Sequence, residues 1–72
     1  MKLIEETWKT GTAYEVLLVA DKAPAALPAR GKDVDGMNDA HTFAPMSVLY
    51  VVDPAAAHKF YVADESGRFV GQ

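Results

Sequence analysis

The chain contains no cysteine, which rules out a disulfide framework and a thiolate zinc site, two common supports of very small domains. It also has no long apolar run. Nothing approaches the roughly 20 consecutive apolar residues needed to span a bilayer, and the opening Met1-Lys2-Leu3-Ile4 gives way to Glu5 and Glu6, unlike an export signal. Basic residues are few and scattered: seven Lys and Arg stand against ten Asp and Glu, for a net charge of -3. That leaves no cationic stripe for a phosphate backbone. We therefore expect neither nucleic acid nor a membrane as partner.

What is present suits a small folded domain. Half of the residues are apolar, enough to argue against wholesale disorder. We treat residues 1–72 as a single domain, of a size that buries only about 60% of the surface its unfolded chain exposes. At about 25 cal/mol per Å² of burial and roughly 1.5 kcal/mol of ordering entropy per residue, gain and cost nearly cancel in so short a chain. With disulfides excluded, self-association is the expected reinforcement.

The pattern is mainly β. We expect a small antiparallel sheet of about four strands over residues 13–20, 47–52, 59–63 and 68–70, because these runs alternate and are rich in β-branched and aromatic residues. A helix is the main competitor at 13–20, but a run of this length bounded by Gly11 and Asp21 suits a strand better. Residues Lys2 to Lys9 alternate less cleanly and are either an edge strand or an arm packing Leu3, Ile4 and Trp8 on a neighbour. Gly11 is placed for a turn at Thr10-Gly11-Thr12, and Gly67 for the left-handed position of the hairpin loop Asp64-Glu65-Ser66-Gly67. Between the first and second of these strands lies a long Pro/Asp-rich connector. Pro24 and Pro28 disfavour helix there, Leu27 is the expected anchor, and Asp33 to His41 is expected as a surface loop. At most one short helical turn is expected, at 54–57, where Asp53 precedes Pro54.

The chemistry-bearing residues form no specific motif. Asp33, Asp35, Asn38 and Asp39 have a faint look of a calcium loop, but counting from Asp33 the fifth position is Met37, glycine comes fourth and Ala44 sits twelfth. That spacing does not match the EF-hand, so an Asx-rich turn is the better reading. His41 and His58 are the only histidines, and Ser47 and Ser66 have no nucleophile-elbow context. We expect no catalytic residue, no cofactor and no metal, hence a non-enzymatic protein. The aromatic set Trp8, Tyr14, Phe43, Tyr50, Phe60, Tyr61 and Phe69 reads as core or subunit interface. Val48, Tyr50 and Val52 fall on one face of their strand and Leu49 and Val51 on the other, so both faces are apolar in a chain too short to cover both. As interface residues we single out Leu3, Trp8, Leu27, Leu49, Val51 and Tyr61.

The run His41-Thr42-Phe43-Ala44-Pro45-Met46-Ser47-Val48-Leu49-Tyr50-Val51-Val52-Asp53, followed by Lys59-Phe60-Tyr61-Val62 and Gly67-Arg68-Phe69-Val70, resembles short bacteriophage and prophage proteins described as head-fibre or virion-associated. In those chains the phrase commonly reads Ala-Pro-Gly-Ser before the strand, and the final aromatic is often tryptophan. Here Met46 stands in the glycine's place and Phe69 in the tryptophan's. The resemblance spans roughly residues 21–71. It implies a structural, oligomeric virion part, a trimer among the options, found in the virion or the host cytoplasm, with no catalytic residue to carry over. The alternative is a small acidic adaptor or inhibitor that binds one host protein through Asp33 to Asp39 and the connector around Leu27.

Overall fold

The computed structural model describes all residues from Met1 to Gln72. It is mainly β, with strands β1 (Lys2–Thr10), β2 (Ala13–Ala20), β3 (Thr42–Phe43), β4 (Val48–Val51), β5 (Phe60–Ala63) and β6 (Phe69–Gly71) in one sheet of order β1-β2-β4-β5-β6, with β3 also alongside β2. The strand at 13–20 lies where the alternation places it, and the later three sit within a residue of theirs. The N-terminal segment is a true edge strand that forms a hairpin with β2, and Gly11 turns it at φ 52. At the far hairpin Gly67 adopts φ 80, and the Asp64 carboxylate accepts from the Ser66 N–H, the Ser66 hydroxyl and the Arg68 N–H.

The sheet is mixed, whereas the sequence suggested an antiparallel one. β4 and β5, and β5 and β6, run antiparallel, but β2 runs parallel to β3 and β4. Two parallel neighbours require a crossover, and the connector supplies it without an α-helix. Its only helical turn is a 3-10 turn at Gly31–Asp33. The Asp33 carboxylate holds that turn by accepting from the N–H groups of Ala29 and Arg30.

The crossing carries the connector over one face of the sheet and buries Val34 and Met37 against Val16, Leu18, Leu49, Val51 and Phe69. Two expectations are corrected here. Leu27 is exposed and Pro28 is buried in its place. The Asp33–Asp39 segment is also more than a surface loop, since two of its side chains belong to the core. Gly31 is required where the connector folds back, because a Cβ there would lie 2.0 Å from the Asn38 carbonyl oxygen.

Residues 54–57 form a turn and no helix. The Asp53 carboxylate accepts from the Ala55 N–H, while the Lys59 ammonium donates to the carbonyls of Pro54 and Ala56 at 2.7 and 2.9 Å. Those carbonyls converge on a cation, and that convergence replaces the helical ladder.

Candidate functional site

The register assigns every strand residue to a face. On β2, Val16, Leu18 and Ala20 turn inward beneath the connector, so Leu17 and Val19 turn outward. Their partners follow: Leu17 stands beside Val48, Val48 beside Val62, and Val62 beside Val70. A second row, one step along the strands, runs Val19, Tyr50, Phe60. This outward face is apolar across β2, β4, β5 and β6. In most sheets with a single covered face the other face is polar.

Much of it is open, with Val19, Val48 and Val62 half-buried among their neighbours. Tyr50 is 49% exposed, Val52 51%, Phe60 41% and Val70 48%. Monomeric soluble proteins rarely expose contiguous apolar patches larger than a few hundred Å². At the β1 end it is bordered by Lys2, paired with Val19, and Glu5, paired with Leu17.

The residues singled out from the sequence as interface lie off this outward face. Leu49 and Val51 are the inward members of β4, fully buried in the core, so they offer nothing to a partner. Leu3 and Tyr61 face inward and pack half-buried against the core. Trp8 lies on the inward side near the hairpin tip, exposed, with its indole N–H donating to the Gly11 carbonyl. Leu27 sits on the connector. The open face carries Leu17, Val19, Val48, Tyr50, Phe60 and Val62 instead. The signal for them was present, since β4 and β5 have apolar residues on both sides, but alternation does not say which side the connector crosses.

One His–carboxylate pair exists. The His41 ring stacks on Tyr14 with centroids 3.8 Å apart, and its Nδ1 lies 3.6 Å from the Glu6 carboxylate, too far for a hydrogen bond. That nitrogen is buried without a hydrogen-bond partner. The molecule's one cleft, an open one of about 540 Å³, lies apart from this pair, between Leu3, Val19, Asp21 and Asp35. His58 contacts the Gln72 carbonyl oxygen through Nδ1 at 3.3 Å and lies beside Tyr61. Ser47 is buried and spends its hydroxyl on backbone groups of Val16 and Ala44. No group of three or more His, Cys, Asp or Glu side chains is placed to hold a metal ion, and no helix is long and apolar enough to cross a membrane.

Three aspartates have carboxyls held below the usual range, each by hydrogen bonds to its charged form. Asp33 is lowered by the Ala29 and Arg30 N–H groups, Asp53 by the Ala55 N–H, and Asp64 by the Ser66 side chain and then the Arg68 N–H. All three are turn-forming groups. No protein-family model matches the chain, and comparison with curated proteins and with solved structures finds no match.

Proposed function

We propose that this protein is a non-enzymatic assembly module that works by self-association through the outward face of its sheet. The observation that supports this is the apolar surface around Tyr50, Phe60 and Val62, much of which the chain leaves open. Covering it offsets the marginal stability of so small a core. A structural part of a virion, as the head-fibre resemblance implies, is the setting we propose for it. One detail favours that setting: Met46 has φ 73, the left-handed conformation that glycine, the residue usual at this place in those chains, adopts freely.

The adaptor reading is less well supported. Val34 and Met37 of the acidic segment are turned into the core, and its outward residues are short polar side chains with little area for a partner.

Light scattering coupled to gel filtration tests the proposal. The expected mass is a small multiple of 7.8 kDa, reduced to one copy by Tyr50→Lys with the circular dichroism spectrum unchanged. A wild-type chain that stays monomeric at high concentration would refute it.

A further inference from the structure

We infer that the bare outer edge of β1 is a further interaction surface, and that its occupant is the β1 strand of a second copy, paired antiparallel about a two-fold axis through Thr7. This edge is separate from the outward face of the sheet, and the inference does not rest on that face. β1 has β2 on one side only. On its other side the connector closes the start of the strand, where the Leu3 N–H donates to the Asp35 carbonyl and the Asp35 N–H donates to that of Met1. From Ile4 to Thr10, where the chain turns at Gly11, nothing pairs with the edge and every side chain is exposed. An unpaired edge of this length is a template for another strand.

The backbone selects the axis. Thr7 is the midpoint of the bare stretch, so a two-fold there lays Ile4 of each copy beside Thr10 of the other and uses all of it. An axis at Glu6 would instead carry Thr10 of the second copy to the level of Lys2, where Asp35 already lies. The hydrogen-bonding phase agrees. Opposite residues of an antiparallel pair alternate between exchanging hydrogen bonds and turning them away. On β2, the Tyr14 carbonyl accepts from the Ala44 N–H and the Val16 N–H donates to the Ser47 hydroxyl, both away from β1. Trp8 and Glu6, which stand opposite them, therefore turn their own N–H and C=O groups to the bare edge. Across an axis through Thr7, Glu6 of each copy meets Trp8 of the other, and each pair exchanges backbone bonds in both directions. The irregularities at Ile4 and Lys9 fall outside this bonded run.

Charge points to a copy of this chain as the strand that fits. Glu5 and Lys9 flank Thr7 at equal sequence distance, and neither has an ion-pair partner within the chain. The axis sets Glu5 of each copy directly opposite Lys9 of the other, so the attraction occurs twice, at the closest cross-strand spacing. The like-charge approach at the seam is Glu6 to Glu6, once, between diagonal neighbours roughly 7–8 Å apart. Glu15, opposite Thr7 on β2, lies about equally far from Glu5 and Lys9 of the second copy, so its attraction and repulsion offset. The balance is attractive. Trp8, 61% exposed, is covered in part by the stem of the facing Glu6.

Because the chain has no cysteine, single substitutions read the register. Thr7→Cys places two thiols at the axis, within disulfide reach, whereas those of Glu5→Cys, or of Lys9→Cys, lie roughly 13 Å from their counterparts along the strands. Under mild oxidation Thr7→Cys is expected to give the disulfide dimer at least about tenfold faster than either, and equal rates overturn the inference. The contact is smaller than a standard interface, so it is assayed near millimolar protein and is lost at gel-filtration dilution. Adding Lys9→Glu to Thr7→Cys sets like charges opposite each other and is expected to slow crosslinking about tenfold. Adding Glu5→Lys as well restores the pairing and the rate, and failure to restore overturns the register. All these positions are exposed, and circular dichroism verifies the fold. With no substitution at all, emission of the single tryptophan, Trp8, is expected to shift to the blue as concentration rises, and unchanged emission overturns the inference. Tyr50→Lys is expected to leave Thr7→Cys crosslinking intact, which separates this edge from assembly through the outward face; crosslinking lost with that substitution overturns the edge as a surface of its own.

Discussion

The side-chain hydroxyl of Ser47 accepts a hydrogen bond from the backbone N–H of Val16 at 3.0 Å and donates one to the carbonyl of Ala44 at 2.8 Å. It does so where the ladder beside β2 is interrupted. Backbone bonds continue on either side, from the Ala44 N–H to the Tyr14 carbonyl and from the Val52 N–H to the Ala20 carbonyl. Between Phe43, beside Tyr14, and Val48, beside Leu17, the turn Ala44-Pro45-Met46-Ser47 draws the chain out of register, and the serine takes the place of a missing peptide group. A residue without nucleophile context in the sequence thus has a structural task.

Removing that hydroxyl leaves the Val16 N–H buried and unpaired. Ser47→Ala is expected to cost about 1–3 kcal/mol, and a domain of this size loses about 4–8 °C of melting temperature for each kcal/mol. Thermal melts at fixed protein concentration measure it. A melting temperature unchanged by the substitution would mean that water or a shifted backbone satisfies the donor.

Met46 occupies the third position of a turn with proline at the second, at φ 73, and its side chain is 68% exposed. A left-handed L-residue costs roughly 1–2 kcal/mol, against roughly 0.5–1 kcal/mol of extra chain entropy for glycine. Met46→Gly is therefore expected to be stabilising by up to about 1.5 kcal/mol, and more stable than Met46→Ala, which keeps the Cβ. Urea titrations of the two variants decide this, and an alanine variant more stable than the glycine variant would contradict the strain argument.

The two faces of β4 should respond differently to the same chemistry. Leu49→Ala opens a cavity in the core and is expected to cost about 2–5 kcal/mol, enough to unfold much of the population. Tyr50→Lys, one residue on but outward, is expected to change assembled mass and leave the secondary structure in place. Circular dichroism and light scattering on both variants give the comparison, and unfolding by both substitutions would count against a free outward face.

Acid sensitivity follows from Asp33, Asp53 and Asp64, whose folded carboxyls lie below the ordinary aspartate value. The unfolded chain takes up protons first as pH falls, so stability rises with pH in that window. The contribution is complete above the ordinary aspartate range, about 3.9, and is lost as pH drops through the lowered folded values. Melting temperature is expected to be flat in these groups from neutral pH down to that range and to fall below it. Asp33→Asn should make the fall shallower, and an equally steep fall would remove Asp33 from the account.

Much of the fold was legible because local rules and the structure agree. Alternation at 13–20 marks β2, and glycine and aspartate at 64–67 mark a turn whose geometry they can form. The segments that misled are those where local pattern had a tertiary competitor. The Asp53-Pro54 helix start gave way to carbonyls gathered by Lys59, a partner outside the segment. Leu27 gave up its anchoring role to Pro28, Val34 and Met37, which the connector's path over the sheet buries, a path invisible in the hydrophobic pattern.

By itself the sequence determined that this is a small, cysteine-free, strand-rich chain with more apolar strand surface than it can bury, since composition and the period of two settle those things residue by residue. Only the tertiary structure decided which side of the sheet is the inside. Side chains on β4 alternate between two apolar faces, so burial energy alone does not prefer Leu49 and Val51 over Val48 and Tyr50. The connector makes the choice by crossing over one face to set β4 parallel to β2, and what it leaves open is the surface proposed to meet a second copy.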